Sequence, residues 1–160
     1  RSLKGLSYDG MLQTFQLNTI APALIIKGFS DILKKSHRNG YRSLNRNVPP
    51  VVAALSARVG SINDNRKGGW TSYRASKAAL NMLLKTVSIE LKFSSPKTII
   101  VSLHPGTVDT KLSEPFKKNV TKKALFKADY SALKLINVIN NLDINDTGKF
   151  FAWDGSSIEY

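Results

Sequence analysis

Tyr73 and Lys77 are the residues of this 160-residue chain whose types and spacing most directly suggest chemistry. A phenol and an ammonium four positions apart lie on one face of an α-helix, and the helix-forming run 78–84 follows them. A neighbouring ammonium favours the phenolate and lowers the phenol's pKa from about 10. Such a tyrosine can exchange a proton with a carbonyl or alcohol oxygen near neutral pH. The spacing therefore predicts an acid–base pair in which Lys77 lowers the pKa of Tyr73.

The segments around this pair predict an α/β fold. Continuous apolar runs predict strands over 51–55, 98–103 and 149–153, and helical periodicity predicts helices over 8–36, 72–92 and 121–141. A polar loop with glycine and proline breakers is expected over 37–50. Helices that alternate with short apolar strands favour parallel crossovers, whose sheet is covered on both faces. The expectation is a partial parallel sheet of three strands with flanking helices.

The order of these motifs resembles that of the short-chain dehydrogenase/reductase family, in its branch of sniffer-type carbonyl reductases and C-factor-like proteins. The resemblance covers nearly the whole chain and is closest over 56–81 and 102–110. It implies a Rossmann-type sheet and an oxidoreductase that transfers hydride between NADP or NAD and a small carbonyl or alcohol substrate. In that family the tyrosine matching Tyr73 is the general acid/base, and the lysine matching Lys77 also binds the nicotinamide ribose.

Asn18 is a further catalytic candidate because of the proline that follows it. Pro22 has no N–H, so the Asn18 carbonyl loses its donor at the i+4 position. The resemblance implies that this carbonyl holds a water molecule that connects Lys77 to solvent. The alternative is a helix kink without any catalytic role.

The serine of the expected site is ambiguous. The family usually ends this strand with two serines, and the second binds the substrate oxygen; here Ser56 is followed by Ala57, which has no hydroxyl. Ser61, 12 residues before Tyr73, is close to the family's spacing and is the preferred catalytic candidate. Ser56 remains as a substrate-binding alternative. Trp70 is expected either to line the substrate pocket or to pack in the core.

A second group of candidates follows the strand predicted over 98–103. Residues 105–110 match the family pattern P-G-x-V-x-T. The resemblance implies that this loop binds the nicotinamide end of the cofactor, and Gly106 permits a close backbone approach. The cofactor-binding candidates are Tyr73, Lys77, Pro105, Gly106, Val108 and Thr110. The alternative for the loop is an ordinary turn between a strand and a helix.

The glycines lack the spacing of a dinucleotide-binding turn. None of the ten glycines forms G-x-x-x-G-x-G or G-x-G-x-x-G, the turn that admits a pyrophosphate. We therefore interpret residues 1–160 as the C-terminal half of a short-chain dehydrogenase/reductase domain, with the N-terminal nucleotide-binding half absent. The chain alone is expected to be inactive, and the choice between NAD and NADP is not readable from it.

The composition limits the other classes of function. With no cysteine and no His/Asp/Glu cluster of metal-binding spacing, neither disulfides nor a metal site are expected. The longest apolar run, 20–26, is too short to span a bilayer, and the start has no apolar secretory region, so a cytoplasmic location is expected. The net charge of +13 is spread over many segments, which disfavours a nucleic-acid-binding module. The other alternative is a non-catalytic fragment or interaction relic of the same fold. The sequence leaves open whether the chain forms an oligomer.

Overall fold

The computed structural model describes residues 3–38, 49–114, 121 and 124–160. Four helices are defined there: α1 (Tyr8–Phe15), α2 (Ala21–Arg38), α3 (Thr71–Ser94) and α4 (Ala128–Asn140). Five strands accompany them: β1 (Val51–Leu55), β2 (Ile99–His104), β3 (Thr107–Val108), β4 (Leu125–Phe126) and β5 (Phe150–Ala152). Within these ranges, no helix has the length and apolar character needed to cross a membrane.

The main sheet is parallel and has the strand order β1–β2–β5. Val51 pairs with Ile99 and Leu55 with Leu103, while Ser102 of β2 pairs with Phe150 of β5. The three strands predicted from apolar runs are therefore confirmed. Both ends of each strand lie within about one residue of the predicted bounds. Because parallel strands have their carboxyl ends at the same edge, the segments after β1, β2 and β5 lie at one edge of the sheet.

Alternate residues of β2 face two separate cores. Ile100 packs on one face against Leu80 and Leu84 of α3 and against Ile26 and Leu33 of α2. On the other face, a second cluster joins β2 and β5 to α4: Ile99, Val101, Leu103, Leu135, Val138 and Phe151. β2 is thus buried on both sides, which explains its continuous apolar sequence.

The helix predicted over 8–36 contains a turn of π-helix. The turn covers Gln16–Ile20 and separates α1 from α2, and the N–H of Ala21 donates to the carbonyl of Gln16. The turn ends just before Pro22, which cannot donate to the Asn18 carbonyl. Single π turns inside α-helices occur frequently at functional sites. α2 continues to Arg38, and most of the loop predicted over 37–50 lies outside the described residues.

The helix predicted over 121–141 is shorter than expected at its start. Leu125 and Phe126 form β4, which pairs in parallel with Thr107 and Val108 of β3. Lys127 has an extended backbone, so α4 begins at Ala128. Leu125 fits the helical periodicity over 121–141, but it belongs to this second sheet of two strands.

Candidate active site

Three successive residues with positive φ angles precede the helix that carries Tyr73. The φ angles are 60° at Gly68, 70° at Gly69 and 57° at Trp70. This left-handed conformation is disfavoured for a bulky residue such as Trp70. Arg74 holds the turn: its Nε donates to the carbonyls of Gly68 (3.2 Å) and Gly69 (2.9 Å), and its Nη1 donates to that of Val59 (3.2 Å). The start of α3 is therefore fixed by its own first turn.

Tyr73 and Lys77 face each other across one turn of α3. The Lys77 ammonium nitrogen lies 5.8 Å from the centroid of the Tyr73 ring. Lys77 is only 8% exposed, and its ammonium donates to the carbonyl of Leu55 at the end of β1, at 2.9 Å. The pair shares one face of α3, as the spacing of the two residues predicts, and this face lies where the helix meets the carboxyl edge of the sheet.

The pKa of Tyr73 differs from the sequence-based expectation. Burial raises the pKa of the phenol above its ordinary value, and burial also lowers the pKa of Lys77. The predicted lowering of the Tyr73 pKa by Lys77 is thus wrong in direction for this structure. Desolvation disfavours the charged form of each group, and it is the cause of both shifts. The phenol stays protonated at neutral pH.

The π turn is bound to α3 beside this pair. The Asn18 side-chain amide donates to the Ser76 hydroxyl at 3.1 Å, and the Thr19 hydroxyl donates to the Ser76 carbonyl at 2.9 Å. Ser76 is fully buried, and its hydroxyl donates to the carbonyl of Tyr73 at 2.9 Å. These bonds bring Asn18, predicted from the proline pattern, next to the helix that carries the acid–base pair.

A cavity of about 430 Å³ lies against Tyr73, between α1, the π turn and the start of α3. Its apolar lining residues are Leu6, Leu17, Trp70 and Leu112. Its polar lining residues besides Tyr73 are Gln13, Thr14, Asn18, Thr71 and Ser72. Within the described part of the chain, Tyr73 is the only lining residue with an ionisable side chain. The cavity thus joins Asn18, Trp70 and Tyr73, whose ring lies 6.4 Å from that of Trp70.

Both serine candidates lie outside this cavity. Ser61 is 2% exposed, and its hydroxyl accepts from the N–H of Asp64 at 3.0 Å; it lines a different cavity of about 330 Å³ that Arg74 also lines. Ser56 is 3% exposed and donates to the side-chain carbonyl of Asn81 at 2.6 Å. A role in substrate binding stays a prediction for both, and the structure does not bring either to the cavity beside Tyr73.

The loop after β2 is held by close packing around its glycine. Gly106 has φ +77°, and a Cβ there would lie 2.5 Å from the Phe126 ring and 3.0 Å from that of Trp153. The Ser131 hydroxyl donates to the carbonyl of Pro105 at 2.7 Å. No larger residue fits at Gly106 without displacing these rings.

The same loop continues to the cavity beside Tyr73. Val108 pairs with Phe126 in the second sheet, and Ser113 closes a turn through hydrogen bonds to the backbone of Thr110. Leu112, in this turn, lines the cavity. The loop predicted to bind the cofactor and the cavity beside the acid–base pair are therefore connected through residues 110–113.

Sequence reasoning missed several residues of this site. Asn81 lies four positions after Lys77, just as Lys77 lies four positions after Tyr73. The sequence therefore already placed Asn81 on the same helix face as the acid–base pair. Thr19 lies beside Asn18 and could have been grouped with it. Leu112 carried no signal, since a leucine in a loop has no periodic pattern to place it.

No protein-family model matches the chain, but it is similar to curated proteins and to solved structures. The chain is 30% identical over 159 residues to C-signal of Myxococcus xanthus and covers 84% of that protein. Its fold is similar to that of carbonyl reductase Sniffer of D. melanogaster, with a TM-score of 0.84 and 27% identity. It is also similar to an NADPH-bound carbonyl reductase from chicken fatty liver, with a TM-score of 0.82 and 29% identity.

The chain belongs to the short-chain dehydrogenase/reductase family of oxidoreductases. The resemblance noted in the sequence is thereby confirmed, as is the Rossmann-type parallel sheet. All of this chain aligns with each of the two carbonyl reductases, but it spans only 61% of their length.

Proposed function

We propose that the protein containing this chain transfers hydride between a nicotinamide cofactor and a small carbonyl or alcohol substrate. The observation that carries the proposal is the Tyr73–Lys77 pair, with the ammonium 5.8 Å from the ring centroid, beside a cavity of about 430 Å³. Membership of the oxidoreductase family and likeness to an NADPH-bound carbonyl reductase support it.

The residues of the site fit the nicotinamide end of such a cofactor. The ammonium of Lys77 has three N–H donors, and its bond to Leu55 uses one of them. Gly106 brings backbone close to the rings of Phe126 and Trp153, so the loop has a fixed shape. In the proposal, Lys77 binds the ribose, and the loop residues bind the carboxamide: Pro105, Gly106, Val108 and Thr110. A bound nicotinamide cofactor would supply the hydride.

Tyr73 supplies the proton in this proposal. Because burial raises the pKa of its phenol, Tyr73 holds its proton at neutral pH and can donate it to the carbonyl oxygen as the carbonyl carbon is reduced to an alcohol. The charge then left on the phenol is stabilised by the nearby ammonium of Lys77. The same steps in reverse oxidise an alcohol, with the phenolate as the base. Asn18 and Thr19 keep the π turn beside this pair through Ser76.

The lining of the cavity favours an uncharged substrate. Its described lining contains leucines, a tryptophan, hydroxyls and amides, and carries neither a fixed positive nor a fixed negative side chain. A charged substrate group would lose hydration there without gaining a paired charge. A small neutral aldehyde or ketone fits both the lining and the volume.

A non-catalytic interaction role is the second candidate, and Ala57 favours it. The hydroxyl that the family places at this position is missing, and Ser56 is bonded to Asn81 instead. Loss of one donor to a developing oxyanion costs about 10²–10³ in rate. The non-catalytic interaction role predicts that the protein has no hydride-transfer activity.

Oxidation of NADPH and of NADH by the natively expressed protein, followed at 340 nm, tests the proposal. The substrates are matched pairs of small aldehydes with and without a carboxylate. We expect turnover of the neutral member and a kcat/KM at least about tenfold lower for the charged member, because an unpaired buried charge is costly. No turnover of any carbonyl compound with either cofactor would contradict the proposal and favour the interaction role.

A further inference from the structure

We propose that Asn81 is a positioning residue that keeps the ammonium of Lys77 beside Tyr73. The inference rests on the proposed function for its catalytic meaning, but its structural content is independent of it. Asn81 is 2% exposed. Its side-chain carbonyl accepts from the Ser56 hydroxyl at 2.6 Å, and its side-chain amide lies at 3.5 Å from the Gly60 carbonyl, the limit of a hydrogen bond. A buried amide with both ends directed at one loop fixes that loop.

Two hydrogen bonds join α3 to the end of β1. Tyr73, Lys77 and Asn81 are spaced four residues apart, so they occupy one face of the helix over successive turns. Lys77 donates to the carbonyl of Leu55, and Asn81 accepts from Ser56, the next residue along the chain. The shorter and more deeply buried of the two bonds is the one made by Asn81. The Leu55–Ser56 peptide unit is also held to β2, because the Ser56 N–H donates to the Leu103 carbonyl at 2.8 Å. The bond from Asn81 adds the link that holds this unit against α3, where the ammonium reaches the Leu55 carbonyl.

The segment after Ser56 packs against the same part of α3. Residues Arg58–Gly60 form a single 3₁₀ turn, and a Cβ added at Gly60 would lie 2.7 Å from the Cβ of Lys77. The turn thus lies directly against the stem of the lysine. Asn81 contacts both sides of this turn. It bonds to Ser56 before the turn and lies near the carbonyl of Gly60, the last residue of the turn.

Removal of this link has a consequence at Lys77 that a purely structural role would lack. Without the Asn81 acceptor, the Ser56 hydroxyl is buried without its partner, which favours movement of the segment after β1 away from α3. The Leu55 carbonyl moves with it, and the ammonium becomes accessible to water. A purely structural role for Asn81 would lower the free energy of unfolding and leave the ammonium hydrogen-bonded in the folded state.

The rate at which the Lys77 ammonium protons exchange with water distinguishes the positioning role from the purely structural role. It is measured by NMR on the chain labelled with ¹⁵N-lysine. The disrupting variants are Ser56→Ala, which removes one oxygen atom, and Asn81→Leu, which keeps the size of the side chain. The conservative variant Ser56→Thr keeps the hydroxyl. The control is Ser88→Ala, a buried serine on α3 whose hydroxyl donates to the carbonyl of Lys85 and not to the β1 end.

We expect exchange about tenfold faster or more in Ser56→Ala and Asn81→Leu, since a hydrogen bond to a charged group is lost. Ser56→Thr and Ser88→Ala should exchange at the parental rate. Parental exchange in Ser56→Ala would overturn the inference, and this variant decides the matter if Asn81→Leu does not fold. Faster exchange in the two disrupting variants, together with no loss of turnover on replacement of Tyr73, would leave the positioning role standing and reject the proposed function.

Discussion

The ammonium of Lys77 lies 5.8 Å from the centroid of the Tyr73 ring and 2.9 Å from the carbonyl oxygen of Leu55. One residue of α3 thus contacts both the candidate acid and the end of the central sheet. Burial of this junction raises the pKa of Tyr73 and lowers that of Lys77. The chemistry proposed for the site therefore begins from a protonated phenol.

The pH dependence of turnover follows from the raised pKa of Tyr73. Carbonyl reduction needs the phenol to be protonated, and the proton is held up to and beyond the ordinary phenol value of about 10. We expect kcat/KM for reduction to be flat through neutral pH and to fall only above about pH 10. Alcohol oxidation needs the phenolate and should rise with pH over the same range. A fall in reduction centred near pH 7 would show that the pKa is lowered instead.

Gly60→Ala should weaken both stability and turnover. The added Cβ would lie 2.7 Å from the Cβ of Lys77 and 2.9 Å from its carbonyl carbon, so the loop or α3 must move. Overpacking of this kind costs about 1–3 kcal/mol, which chemical denaturation would measure.

Gly28→Ala is the matched control for that experiment. Gly28 lies in α2, and its added Cβ has no neighbour within 4 Å. Alanine is the better helix former by about 0.5–1 kcal/mol, so this variant should be slightly more stable and should keep parental turnover. Equal effects of the two substitutions would mean that the contact between Gly60 and Lys77 has no special importance.

His104 should make the folded chain less stable as the pH falls. Burial lowers its pKa to about 4, the charge of Arg58 acts in the same direction, and Asp154 and Asp64 partly oppose both. Between about pH 6.5 and 4 the unfolded chain binds a proton that the folded chain does not, so the free energy of unfolding decreases by up to about 3 kcal/mol as the pH falls. His104→Gln should show a smaller decrease in urea unfolding across this range. Parallel curves for parent and variant would exclude His104 as the cause.

Much of the fold could be predicted because the buried strands have continuous apolar sequences. The continuous apolar sequences of Val51–Leu55 and Ile99–His104 are typical of strands buried in a parallel sheet. The spacing of four residues was enough to place Lys77 one helical turn from Tyr73. Leu125–Phe126 could not be predicted, since a strand of two residues has no period and its partner, Thr107–Val108, is distant in the chain.

The electrostatics and the polar contacts of the site were less predictable. The pKa of Tyr73 depends on how deeply α3 packs, and the sequence alone suggested only the opposing effect of Lys77. The partner of Ser56 is Asn81, 25 positions away, and only the packing of β1 on α3 brings the two together. Sequence spacing therefore found the acid–base pair, while its supports required the structure.

Replacement of Tyr73 by phenylalanine tests the central claim most directly. The variant keeps the ring and its contact with Trp70 and removes only the hydroxyl, so the fold and the cavity should be preserved. The measurement is single-turnover reduction of a neutral aldehyde by the natively expressed protein with saturating nicotinamide cofactor. The account predicts a rate lower by about 10²–10⁴, the usual contribution of general acid catalysis. A Tyr73→Phe rate close to the parental rate would contradict it.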